Sequence, residues 1–71
     1  MNLWDASLKQ EYTIEEIKTE DDELNSFLFS LGCYAGERIT VVKKGKSGCI
    51  VLVKDSRYSI DSQLARAILI K

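Results

Sequence analysis

The side chains able to do covalent or acid–base chemistry are few and scattered. Histidine, the commonest general base and metal ligand near neutral pH, is absent. Cys33 and Cys49 are the only thiols, and they fall on separate predicted elements. A structural zinc site wants about four ligands with close pairs such as C-x2-C, so two isolated thiols suit packing better than metal binding. No serine, cysteine or aspartate stands in a recognised catalytic spacing. Gly45-Lys46-Ser47 copies the end of a phosphate loop, but no glycine precedes Gly45 by five positions and a strand, not a helix, is predicted after it. It reads as a solvated hairpin tip. Glu20-Asp21-Asp22-Glu23 is the one dense acidic run. Its carboxylates would attract a hard cation if they converged, yet on a helix they point around the axis and complement the positive end of the helix dipole. The expectation is a protein with no catalytic residue, no cofactor and no metal site.

Two groups of residues are suited to contacts. Lys43, Lys44 and Lys46 form a basic tip that would meet an acidic partner surface or lipid headgroups. The stretch from Leu31 to Gly36, with Leu31, Gly32, Tyr34 and Gly36, joins a helix exit to a turn, and Tyr34 is a bulky aromatic of the kind that anchors interfaces.

The elements that must position these groups follow from periodicity. Residues 1–11, with Leu3, Trp4 and Leu8 among polar neighbours, read as an N-terminal arm laid on a core. Tyr12 to Ile17 begins with period-two alternation and reads as a strand. Thr19 is the expected cap of a helix whose apolar face is Leu24, Phe27, Leu28 and Leu31 and whose end is Gly32. Glu37 to Lys43 and Cys49 to Lys54 are β-branched strands around a Gly45–Gly48 hairpin loop. Asp55-Ser56 is the expected turn into a strand over Arg57 to Asp61. Ser62 to Arg66 is expected to make a single turn that delivers Ala67 to Ile70 as a last strand.

Five short strands and one early helix in a chain of 71 residues leave room for one domain spanning 1–71. Such a chain buries roughly 60% of its unfolded surface and has little stability to set against a strained active site. The expected fold is mainly β with one or two short helices, a small SH3-like β-barrel whose closure removes the sheet edges. A net charge of -1 argues against counterion-driven nucleic-acid binding. The longest apolar runs, Cys49 to Val53 and Ala67 to Ile70, are far shorter than the ~20 residues that span a bilayer. The first residues lack the pattern of a secretion signal, so a cytoplasmic protein without a disulfide is expected.

The ordered set Leu28-x-x-Leu31-Gly32-x-x-x-Gly36, Ile39-x-Val41, a glycine loop ending at Gly48, alternating Val and Ile, and Ala65-x-x-Ile68-x-Ile70 resembles the FeoA family from about Tyr12 to Ile70. It is also similar to the C-terminal barrel of DtxR-type metal-dependent repressors. The chain departs from the family pattern at Phe27, Ala35 and Asp61, where an arginine, a proline and a basic residue are usual, and it lacks a glycine ahead of the first strand. The resemblance implies a small cytosolic accessory protein of bacterial ferrous-iron transport. Its implied partner is FeoB, a membrane transporter with a cytosolic G-protein domain, so that contact with the membrane comes only through the partner. Weak self-association, partnership with a metal-dependent repressor and transition-metal sensing are alternatives that the residues leave open.

Overall fold

The computed structural model describes all 71 residues. The arm folds into a 3-10 turn at Leu3–Asp5 that buries Leu3 completely, while Leu8, expected to pack, remains half exposed. β1 (Glu11–Ile17) is followed by α1 (Asp22–Leu31), β2 (Arg38–Lys44), β3 (Gly48–Val53), β4 (Ser56–Asp61), α2 (Ser62–Ala67) and β5 (Ile68–Ile70). The strands form one sheet in the order β4-β3-β2-β1-β5, with every neighbouring pair antiparallel.

Strand alternation puts the core on one face of this sheet. Cys49, Val51 and Val53 of β3 are buried, as are Ile39 and Val41 of β2, Tyr12 and Ile14 of β1, and Ile68 and Ile70 of β5. Each large aliphatic side chain so buried contributes about 1.5–3 kcal/mol. The sheet bends where its ladders slip. The register shifts between Val41 and Lys43 on β2 and between Ile14 and Glu16 on β1, and such bulges increase local twist. Ile14 stands at the second bend, where its N–H donates to the Glu37 carbonyl and its own carbonyl accepts from Gly36.

The expected closed barrel is not formed. β4 and β5 are the two ends of the sheet and do not pair, so the architecture is mixed α/β with an open five-stranded antiparallel sheet. The reason lies in the segment between them. β4 runs directly into α2 and α2 directly into β5, and the helix satisfies its own amides where a further ladder would have to lie. Asp61 caps it by accepting from Leu64 N–H at 2.7 Å, while Leu64 and Ala65 point into the core. The segment expected to make one turn is thus a six-residue helix. The free edge of β5 is covered instead by the arm, through a bridge between Asn2 and Leu69 and the Ile70 N–H donating to the Met1 carbonyl.

Two further expectations shift by a residue or two. The cap of α1 is Asp21, which accepts from the N–H groups of Glu23 and Leu24; Thr19 instead accepts from Asp21 N–H. The β3–β4 turn is Lys54-Asp55, both at positive φ (49° and 65°), as the two-residue hairpin turns that match strand twist require.

Candidate functional site

The exit of α1 is fixed from both sides. Gly32 adopts φ 93°, a left-handed conformation that glycine reaches without strain, and its N–H caps the helix on the Leu28 and Phe29 carbonyls. The neighbouring Cys33 N–H donates to Leu28 at 2.9 Å. A Cβ on Gly32 would lie 2.9 Å from Cδ of Lys54, so the lysine stem crosses directly over the glycine. Beyond that crossing the Lys54 ammonium sits 3.0 Å from Glu37 Oε2 and 5.2 Å from the centre of the Tyr34 ring. The Tyr34 ring in turn lies 5.2 Å from that of Phe29, tilted by 39°. The hydrogen bond from Lys54 holds the Glu37 carboxyl below its ordinary range, and Tyr34 and Glu37 together hold the lysine above its own. Gly36, at φ 92°, completes the turn and has open space around it.

Beside this exit, α1 exposes apolar surface. Only Leu28 of the helix is fully buried, with Leu31 half-buried against the core. Leu24, Phe27 and Phe29 are 39%, 48% and 66% exposed. Of the apolar face named from the sequence, Leu28 and Leu31 thus pack inward while Leu24 and Phe27 stay outside. Phe29 has no place in the Leu24, Phe27, Leu28, Leu31 spacing, and that departure is the sequence signal that could have marked it as a surface aromatic. Glu37 and Lys54 gave no such signal, because only the fold joins them. Near the start of the same helix a cleft of about 380 Å³ opens towards α2, with Leu24 and Leu64 on its apolar side and Lys18 and Arg66 among its lining.

The basic tip lies elsewhere. Arg38 and Lys44 are the two ends of β2, roughly 20 Å apart at ~3.3 Å per residue, so the structure does not bring Leu31, Gly32, Tyr34 and Gly36 together with the lysines. The lysines also divide among themselves. Lys44 turns to the arm, where its ammonium donates to the Trp4 carbonyl and stands 5.2 Å from the centre of the Trp4 ring, a ring that Arg66 also approaches. Lys43 and Lys46 instead line a shallow hollow beside Gly45–Ile50.

The chemically reactive groups are put to structural use. Cys33 and Cys49 are free and buried. Burial, with a smaller effect of the Glu37 charge, pushes the Cys33 thiol up to about 11, and burial also raises that of Cys49. Thiols so held are protonated at neutral pH and poor nucleophiles. No group of three or more His, Cys, Asp or Glu side chains is placed to hold a metal ion. No helix is long and apolar enough to cross a membrane.

A family model described as the FeoA domain matches residues 1–71. The chain belongs to the FeoA family. As a member of this family the chain is a non-catalytic accessory protein of iron transport that acts through contacts with other proteins. Solved structures share its fold at low identity. The crystal structure of an iron uptake regulatory protein, FeoA, matches with a TM-score of 0.90 and 21% identity over 100% of this chain and 95% of that one. The zinc complex of Stenotrophomonas maltophilia FeoA matches with a TM-score of 0.88 and 22% identity, covering 100% and 89%. A manganese-dependent transcriptional repressor matches with a TM-score of 0.89 and 19% identity, but this chain covers only 40% of it. No curated protein matches the chain by sequence.

Proposed function

We propose that the exit end of α1 docks onto the cytosolic G-protein domain of a FeoB-type ferrous-iron transporter, and that the protein works in the cytoplasm. The observation that carries this reading is the exposed Phe27 and Phe29 of α1, with Phe29 packed against the half-buried Tyr34, beside a turn that Gly32, Gly36 and the Glu37–Lys54 pair hold in place. Aromatic anchors on a pre-ordered surface lose little entropy on binding, and such residues dominate interface energetics. Leu31, at the end of the helix, packs inward against the core. Binding of the transporter's cytosolic domain is expected to weaken by about tenfold or more in a Phe27→Ser, Phe29→Ser variant that keeps its circular dichroism spectrum. No association at tens of micromolar, together with normal iron uptake in a deletion strain, would overturn the reading.

A second reading follows from the repressor likeness: the free domain partners a metal-dependent repressor. Iron-dependent binding to such a repressor without binding to the transporter would favour it. Self-association through the same aromatics is tested in the same samples by sedimentation velocity, with the serine variant as control.

A further inference from the structure

At the other end of β2 the chain makes a second surface of quite different chemistry. Lys43, Gly45, Lys46, Ser47, Gly48 and Ser59 surround a shallow hollow of about 290 Å³ whose lining contains two ammonium groups, two hydroxyls and no carboxylate. Neither lysine is engaged in an ion pair: the three salt bridges of the molecule use Arg38, Lys54 and Lys71. Lys44, the third lysine of the tip, is already committed to Trp4.

The hollow is ordered by the fold. Cross-strand register places Lys43 opposite Ile50 and Ile50 opposite Ser59, so an ammonium, an aliphatic floor and a hydroxyl lie in a row across three strands. The tip itself is closed by the Gly45 N–H donating to the Gly48 carbonyl at 2.8 Å. It is tied to α2 by the Ser62 N–H donating to the Ser47 carbonyl at 2.9 Å. Gly48 permits the close approach, since a Cβ there would lie 2.6 Å from the Ile60 carbonyl oxygen. A ligand would therefore meet two cations on a constrained hairpin.

We propose that this hollow binds a phosphoryl group, with Lys43 and Lys46 supplying charge and Ser47 and Ser59 supplying hydrogen bonds. Lysines act on phosphate as point charges that need no fork geometry, and the small, shallow shape fits a compact multivalent anion better than a side chain that must be enclosed. The group could come from a soluble phosphate ester or from a phospholipid headgroup. The reading stands apart from the transporter contact, which uses the opposite end of the strand.

The test is an amide-resolved NMR titration of the full chain at low ionic strength, with pyrophosphate in one arm and phosphatidylglycerol vesicles in the other. Acetate and phosphatidylcholine vesicles are the controls. The expected result is a response confined to Lys43–Cys49 and Ser59, with an apparent Kd that rises about tenfold or more in Lys43→Gln, Lys46→Gln. Both lysines are exposed, so this variant should keep the parent spectrum elsewhere. A response to pyrophosphate alone assigns the site to soluble phosphates, and a response to the anionic vesicles alone assigns it to headgroups. No response, an equal response to acetate, shifts spread over the other basic residues, or an unchanged Kd in the variant would overturn the proposal.

Discussion

Glu37 and Lys54 show how a pair of exposed charges becomes useful once it closes over something. Their contact holds the lysine stem on Gly32 and the ammonium near Tyr34, so that the helix exit, the turn and the β3–β4 hairpin meet at one place. The Glu37 carboxyl is held below its ordinary 4.5, chiefly by the hydrogen bond from Lys54. A folded state that binds this proton less readily than the unfolded chain is stabilised by the pair above that value, and the contribution is lost as pH falls through the lowered folded value. Lys54 has the opposite sign: raised from 10.5, it stabilises below that value and loses its contribution as pH rises through the raised one. Carboxyl NMR of Lys54→Met should show the Glu37 midpoint moving back up towards 4.5 and the acid sensitivity of the fold reduced. An unmoved midpoint would show that the lysine does not set it.

At the scale of elements, α1 and α2 explain what the sequence could and could not say. The strands were legible because each buries alternate residues, and Ile39, Val41, Val51 and Val53 face the core as their spacing requires. The same alternation says which face is covered but nothing about whether the first and last strands meet, and so the closed barrel was inferred and the open sheet was found. α2 was missed as a helix because six residues carry less than two turns of pattern; its order comes from the Asp61 cap and from the burial of Leu64 and Ala65. α1 lies where its apolar spacing and Gly32 place it, but that spacing does not say how much of the face is covered. Leu28 alone reaches full burial there. Leu28→Ala should therefore cost about 2–5 kcal/mol in chemical denaturation. Phe29→Ala, on the exposed side of the same helix, should change stability by about 0.5 kcal/mol or less. Equal losses in the two variants would mean that the helix is buried on both sides. The sequence placed Tyr34 and Gly36 at the turn after α1, whereas the Glu37–Lys54 pair was not legible, because no local pattern links a helix exit to a distant hairpin.

For the molecule as a whole, the arm decides how an open sheet can be stable. Five strands that do not close leave two edges, and exposed edges invite pairing with other chains. The arm lies along β5, and Leu3 fills the space between it and α2 so completely that no part of its surface reaches solvent. In a domain whose total stability is on the order of 5–15 kcal/mol, Leu3→Ala should remove about 2–5 kcal/mol, a large share for a residue on a terminal arm. Thermal unfolding of that variant should show a sharply lower midpoint, and size exclusion should show self-association as the β5 edge is released. An unaltered midpoint would mean that the arm merely rests on the surface.

The β3–β4 turn has a consequence of its own. Lys54 and Asp55 both occupy a backbone region that asparagine and glycine take more readily, so the hairpin would be more stable with Asn-Gly there. Such a hairpin would be the better fold and the worse protein: Lys54→Asn, Asp55→Gly should raise the unfolding free energy by about 1 kcal/mol while letting Tyr34 swing loose. In this chain the preference of a turn yields to the reach of a single cation, and hydrogen exchange at Tyr34 to Glu37 should quicken in the variant even as the rest of the domain becomes harder to melt.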